Sequence, residues 1–422
     1  MERFGEAVKR LKGTMPVREL ARRAHVDAGH LSRILKGDRP APGAEVVRAL
    51  DDALGANGEL VRLTVCGAIW PLTQRWSDTD NERLADALEN TTPTADNAVE
   101  LAHEWLIAEA PQVYELRVGR RVGERMAGKV ARRVQGLRLL DDYLGGEHTQ
   151  AVVAAELAAT GRLVREAAYT EAVGRRLLVA VGELCQLAGY VYTDAGRLAE
   201  AERLYLAGMR AAHAGGDDGV AANNLSALSY QLANDGDAPR AVRLARSAYA
   251  GARDEASATV RALLLERVAW AHALAGETGA AERALGAVDE TYAERSRAAD
   301  PVWAYWVTPE EVEIMRGRVW TELKRPLRAV PALRGVIEGY GPDRARETTL
   351  YRSWLAEALE QAGEVDEAAA LATGTVKLSQ HAHSVRAVQR IEVLRRVLAP
   401  HRGNAAVDEF EEAAATTSHS SA

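Results

Sequence analysis

The stretch QLAGYVYTDAGRLAEAERLYLAG, residues 186–208, decides the fold because its layout returns further along the chain. SALSYQLANDGDAPRAVRLARSA (226–248) and ERVAWAHALAGETGAAERALGAV (266–288) repeat it. Gly196, Gly236 and Gly276 stand 40 residues apart, and five residues beyond each lies an alanine: Ala201, Ala241 and Ala281. Gly363 with Ala368 makes a further copy, and LKRPLRAV around Ala329 makes a degenerate one in between. A glycine ends one helix in a left-handed cap, and a small alanine lets the next helix pack closely against it. Antiparallel helix pairs stacked this way bury one continuous core. Strand signals are few, so the expected fold class is all-α, with an α-solenoid over residues 146–400.

The pattern resembles tetratricopeptide repeats with somewhat long turns; Gly189 and Tyr192, seven and four residues before Gly196, also match. The resemblance implies that the first helix of each pair lines a concave surface. Six residues before each turn glycine stand Tyr190, Tyr230 and Trp270. Ten before stand Gln186, Ser226 and Glu266; thirteen before, Glu183 and Asn223; two before, Asp194 and Asn234. Aromatics flanked by amides and carboxylates are how a groove for a peptide or small molecule is built, with amides meeting backbone groups and rings packing side chains. The same residues also suit ordinary packing between repeats. Trp303, Trp306, Trp320 and Trp354 are expected in core or rim positions rather than as ligand contacts.

Outward toward the N-terminus, the first 66 residues read as short helices. Phe4, Val8 and Leu11 share a helical face that stops at Gly13, and Pro16 suits a first helical position. Val17, Leu20, Ala21 and Ala24 make a second face; Asp27 can cap a third helix through Leu31, Ile34 and Leu35 to Gly37. Val46, Val47, Leu50 and Leu54 mark a fourth helix ending at Gly55, and Leu60, Leu63 and Val65 suit a fifth. VRELARRAHVDAGHLSRILKGDRP (17–40) resembles the helix-turn-helix of phage-repressor-like (XRE) regulators. Two positions depart from that family: His25 stands where a turn glycine is usual, and Val17 where a polar residue is usual. Histidine tolerates left-handed geometry better than most residues, so the turn is expected to persist with some strain.

The resemblance implies a recognition helix from about Asp27 to Lys36 in the major groove of an operator bound by a dimer. Its base-reading positions are then Ala28, Gly29, His30 and Arg33, with Arg33 the bidentate donor suited to guanine. Arg22, Arg23, Ser32, Lys36 and Arg39 are the phosphate candidates, which set register rather than sequence.

A net charge of −7 over 422 residues would disfavour DNA binding if it were evenly spread, and it is not. Residues 1–39 carry ten Lys and Arg against five acids, leaving a +5 head on a −12 remainder. Such a balance argues against a nonspecific nucleic-acid coat and suits a small basic reader. Cys66 and Cys185 have no metal or redox spacing and read as reduced cytosolic thiols. The N-terminus lacks an apolar signal region, and no apolar run reaches membrane length, so a cytoplasmic protein is expected. GERMAGKV (123–130) has phosphate-loop spacing, but Val130 replaces the Ser/Thr that holds magnesium and no strand precedes it. The basic run around it, residues 117–138, reads as a solvated helix face. His381 and His383, two apart on a helix, diverge and share no metal. No catalytic motif, metal site or cofactor site emerges, so no enzyme activity is expected.

The expected organisation is a helix-turn-helix domain over 1–66, a partly helical linker over 67–97, a helical connector over 98–145, the repeats over 146–400, and a disordered tail over 401–422. Nearly the whole chain resembles actinobacterial XRE regulators fused to tetratricopeptide repeats, through LLDDYLGG, GRRLLVAVGELCQLAGYVYTDAGR and RALLLERVAWAHALAG. In domain order it is similar to the RRNPP peptide-sensing regulators of quorum sensing. That likeness implies a cytoplasmic homodimer that binds double-stranded operator DNA under control of a signalling peptide or small-molecule effector. The alternative is an interaction scaffold whose repeats bind a protein, with no gene-regulatory DNA binding.

Overall fold

Left-handed residues and the hydrogen bonds around them set where this chain turns. The structure, a computed structural model, describes residues 4–36, 44–56, 60, 70, 72, 75–89, 97–113, 115, 119–144, 146–296, 298–340, 345–382 and 385–418. The chain divides into two units, Met1–Pro71 with Thr92–Asn97, and Leu72–Thr91 with Ala98–Ala422.

The first unit holds α1 (Phe4–Lys12), α2 (Val17–Arg23), α3 (Ala28–Lys36) and α4 (Ala44–Leu54). Gly13 and Gly55 follow α1 and α4 with φ of 51° and 60°. Pro16 is the residue before α2 rather than its first member. Ala7, Val8, Leu20, Ala21, Leu31, Val47, Leu50 and Leu60 close one core, and Val17 packs partly against it. An apolar residue at position 17 therefore contributes packing where a polar one would not. Asp51, itself buried, accepts the Leu60 backbone N–H at 2.7 Å. Leu63, Val65 and Cys66 lie outside the described residues, as do Gly37, Arg39 and His383; so does the side chain of His381.

In the second unit, α5 (Asp78–Glu89) and α6 (Ala98–Ile107) precede α7 (Glu124–Leu144) and α8 (Gly146–Glu166). Two short parallel pairs accompany them: β1 (Arg75–Trp76) with β2 (Gln112–Val113), and β3 (Arg120–Arg121) with β4 (Ala167–Ala168). α5 falls inside the stretch expected to be a partly helical linker; its Leu84, Ala85 and Leu88 are buried and the helix packs on α8. The polar composition there hid a narrow apolar stripe. Contrary to expectation a short strand, β3, does precede GERMAGKV, but the stretch runs straight into α7, and Val130, at the position where a phosphate loop carries Ser or Thr, is buried.

Helix hairpins follow in register: α9 (Glu171–Asp194) with α10 (Leu198–Gly215), α11 (Asp218–Asn234) with α12 (Ala238–Ala252), and α13 (Ala258–Leu274) with α14 (Thr278–Ala293). Then come α15 (Pro309–Glu322) with α16 (Pro326–Ile337), and α17 (Ala345–Gln361) with α18 (Val365–Ala382). The array closes with α19 (Val385–Leu398) and α20 (Ala405–Ser418). First helices pack side by side from α9 to α19.

Five hairpin turns share one bonding scheme. The N–H of Arg197, Asp237, Glu277, Arg325 and Glu364 reaches the carbonyl five residues back at 2.8–3.0 Å. Gly196, Gly236, Gly276 and Gly363 supply positive φ, and so does Lys324 at 56°. This is the Schellman closure, which satisfies orphan helix carbonyls. The degenerate repeat thus keeps the geometry with a lysine in the glycine's place. Ala201, Ala241, Ala281, Ala329 and Ala368 all have no exposed surface, as close hairpin packing requires. Gly189 marks a similar contact, since a Cβ there would lie 2.5 Å from the Tyr205 ring.

The C-terminal end differs from the expected disordered tail. α20 docks on α18 through Val407, Phe410 and Ala414, spaced three and four apart and buried. The low-complexity ending masked an amphipathic helix that runs into it, as far as Ser418.

Candidate functional site

Two places in the chain gather the residues singled out by sequence, one in each unit. In the first, α2 and α3 pack together across the turn Ala24–Asp27. His25 has φ of 51°, and Val26 N–H donates to the Ala21 carbonyl at 2.9 Å. The turn is the same Schellman closure that the hairpins use, with histidine in the left-handed seat. The strain expected at His25 is therefore present in the backbone.

Arg33 is exposed on α3, and its Nε donates to the Gly29 carbonyl at 3.3 Å, which lays the stem along the helix. Gly29 is exposed, Ser32 half-buried, and Ala28 packs partly against the head's core. His30 and Lys36 lie on α3, and their side chains are outside the described set. Arg22 and Arg23 both bond Glu19, at 2.8 and 3.1 Å. These two bonds hold the Glu19 carboxyl down at about 2, well below the usual glutamate range. Neither arginine reaches a phosphate without sharing or leaving that carboxylate.

The second place is the layer of first helices, and its ten sequence-chosen residues fall into separate groups. Arg138 of α7, expected on a solvated face, is instead buried; it donates to Gln186 at 2.7 Å and to the Glu183 carbonyl at 3.3 Å. Burial pushes the Glu183 carboxyl up. Near the same guanidinium, Tyr305 donates to Asp142. Ser226 donates to the backbone carbonyl of Asn223 at 3.0 Å, and the Asn223 side chain is buried. Asn234 folds back on the Tyr230 carbonyl at 2.6 Å, and Asp194 is buried at the end of α9. Tyr190 is half-buried on α9.

Tyr230, Trp270 and Glu266 come together with residues that the spacing did not single out. The Tyr230 and Trp270 rings lie 6.3 Å apart, and Trp354 meets Trp270 edge-on at 5.5 Å. Trp354 is buried, as expected of it, but it also faces this cluster. Arg318 enters among them: its guanidinium sits 4.8 Å from Trp270 and 5.2 Å from Trp354, and donates to the Tyr230 hydroxyl at 2.6 Å. Arg390 also stacks on an indole, 3.6 Å from the Trp354 ring, and bonds Glu357 at 2.6 Å. Glu266 is buried, and desolvation drives its carboxyl well above the ordinary range. Counting six residues back from Lys324, rather than from a glycine, finds Arg318; the signal was present but its turn was disguised.

Residues 3–63 match the model of a protein family described as a helix-turn-helix domain. No curated protein matches the chain. The match covers the head alone, and with the α2–turn–α3 geometry it marks the chain as carrying a DNA-binding helix-turn-helix of the kind found in transcription regulators. Among the described residues, no helix is long and apolar enough to cross a membrane.

Proposed function

We propose that this protein is a ligand-responsive transcription regulator of the XRE type. The helix-turn-helix binds a double-stranded operator as a homodimer, and the hairpins act as tetratricopeptide repeats that bind a peptide or small molecule. It works in the cytoplasm and catalyses no reaction. The observation that carries the DNA-binding half is the head itself: a matched helix-turn-helix whose α3 exposes Arg33. The sensing half is supported by the five Schellman-closed hairpins and by the polar–aromatic cluster on their first helices.

Genome-wide retrieval of bound promoter fragments, followed by titration of a retrieved operator, tests the proposal. Arg33→Ala is expected to weaken binding by about 1–3 kcal/mol and relax preference at one base pair. Lys36→Ala is expected to weaken all sequences alike and flatten the salt slope by about 1. If no promoter fragment is retrieved, the protein-binding scaffold becomes the reading; if neither variant changes operator binding, α3 is not the reader.

A further inference from the structure

Four side chains on three successive first helices bury polar atoms that find no partner. Glu266 and Trp270 belong to α13, Arg318 to α15 and Trp354 to α17. They are 2%, 4%, 7% and 6% exposed. Both Glu266 carboxyl oxygens, the indole Nε1 of Trp270 and of Trp354, and the Arg318 Nε make no hydrogen bond among the described residues. Native proteins leave few buried polar groups unsatisfied, and five such atoms in one ring-packed cluster call for something that supplies the bonds.

The chemistry of the missing partner follows from the donors. Two indole N–H groups and a guanidinium N–H can only donate, so the partner must accept. The two cations beside Trp354 also differ. Arg390 has a carboxylate at 2.6 Å in Glu357, together with the Ser353 hydroxyl at 3.1 Å. Arg318 donates to the neutral Tyr230 hydroxyl and makes no ion pair with a carboxylate among the described residues. Burial pushes the Glu266 carboxyl up, and neither of its oxygens bonds Arg318 among the described residues. A buried guanidinium in such surroundings is strongly favoured to recruit an anion. The planar, two-oxygen form of a carboxylate suits donors that approach from an indole and a guanidinium.

We infer that the face formed by Trp270, Arg318 and Trp354 is a carboxylate-binding site. Its occupant is the carboxylate of an effector whose adjoining aromatic or apolar body packs on the Tyr230 and Trp270 rings. The inference rests on the effector-binding reading of the repeats and narrows it to acids. A peptide C-terminus and a small organic acid present the same group, and the test separates them.

The full-length protein is titrated with N-acetyl-phenylalaninate, with its neutral amide, and with an N-acetylated tetrapeptide ending in free phenylalanine, read by calorimetry. The carboxylate is expected to bind at least about tenfold tighter than the amide, a difference of roughly 1.4 kcal/mol. Tighter binding of the tetrapeptide than of the single residue assigns the site to peptide C-termini; the reverse assigns it to small acids. Trp270→Phe and Trp354→Phe keep a ring and lose the N–H, and each should weaken the carboxylate several-fold while leaving the amide unchanged. Should either variant unfold, the carboxylate-against-amide comparison on the unaltered protein decides alone. Equal binding of acid and amide, or binding of neither up to millimolar concentration, overturns the inference. So does a crystal structure at millimolar carboxylate with only ordered waters on the two indoles. Operator affinity is measured in the same solutions. Carboxylate binding that leaves operator affinity unmoved keeps the site and removes effector control. No carboxylate binding while a cell extract still shifts operator affinity removes the site and keeps effector control.

Discussion

Two residues sit where their side chains are least at ease, and both do so to close a helix. His25 and Lys324 hold φ of 51° and 56° in turns whose counterparts in this chain are glycine. A left-handed residue with a Cβ costs roughly 1–2 kcal/mol. Lys324→Gly removes that strain and gives up only a long 3.5 Å pairing of an exposed ammonium with Glu357. Part of the gain is offset by glycine's extra freedom in the unfolded chain, so a net stabilisation of about 0.5–1 kcal/mol is expected in a denaturation midpoint. An unchanged or lowered midpoint would mean that the turn does not limit this hairpin. Glu19 makes the second residue-scale case. Its lowered carboxyl pKa means that the contact with Arg22 and Arg23 is present above the unfolded glutamate range and is lost as pH falls toward about 2. At neutral pH the carboxylate therefore competes with phosphate for both arginines. Glu19→Gln is expected to raise operator affinity by a factor of a few at low salt, with the gain shrinking as salt rises, in a fluorescence-anisotropy titration.

At the scale of the element, α20 shows how a helix is held at the end of an array. Such arrays are stabilised by neighbour contacts, so the last element needs an apolar stripe facing inward. Phe410 has no exposed surface and lies in that stripe. Phe410→Ala is expected to cost about 3–5 kcal/mol locally and to make the segment from 405 onward exchange amide hydrogens rapidly. Protection that persists through 405–418 would show α20 to be held by something other than this contact. The stripe was legible in Val407, Phe410 and Ala414, but the run AAATTSHSSA beside it outweighed three residues. The hairpins were easier to read, because a glycine and an alanine five apart recur and carry a mechanism. α5 was harder, since its buried face is narrow and its neighbours are polar. Long-range pairings were not legible at all: nothing local in the sequence announces that Arg138 meets Gln186, 48 residues away. The inner cluster fell between these cases. Tyr230 and Trp270 followed from spacing, whereas Arg318 required seeing a lysine as the equivalent of a glycine.

At the scale of the molecule, the chain is divided in its core as well as in its charge. The head's apolar residues, from Ala7 through Leu60, form one cluster among themselves. The repeats bury their own continuous interior from Val173 to Phe410. Two cores that share no residue are expected to melt as two cooperative events rather than one. Leu31 has no exposed surface and joins α3 to the rest of the head. Leu31→Ala is expected to cost the head about 2–5 kcal/mol, enough to unfold much of a domain of this size. Calorimetry should then show the smaller transition shifted or lost while the larger one, belonging to the helical array, stays in place. Operator binding should disappear, while carboxylate binding at the array remains. A single transition that moves as a whole would mean that the head and the array unfold as one body. If the proposed function follows the same line, the basic head supplies the phosphate contacts of the operator complex and the acidic array supplies none. The salt dependence of operator binding should therefore reflect the head's cations alone.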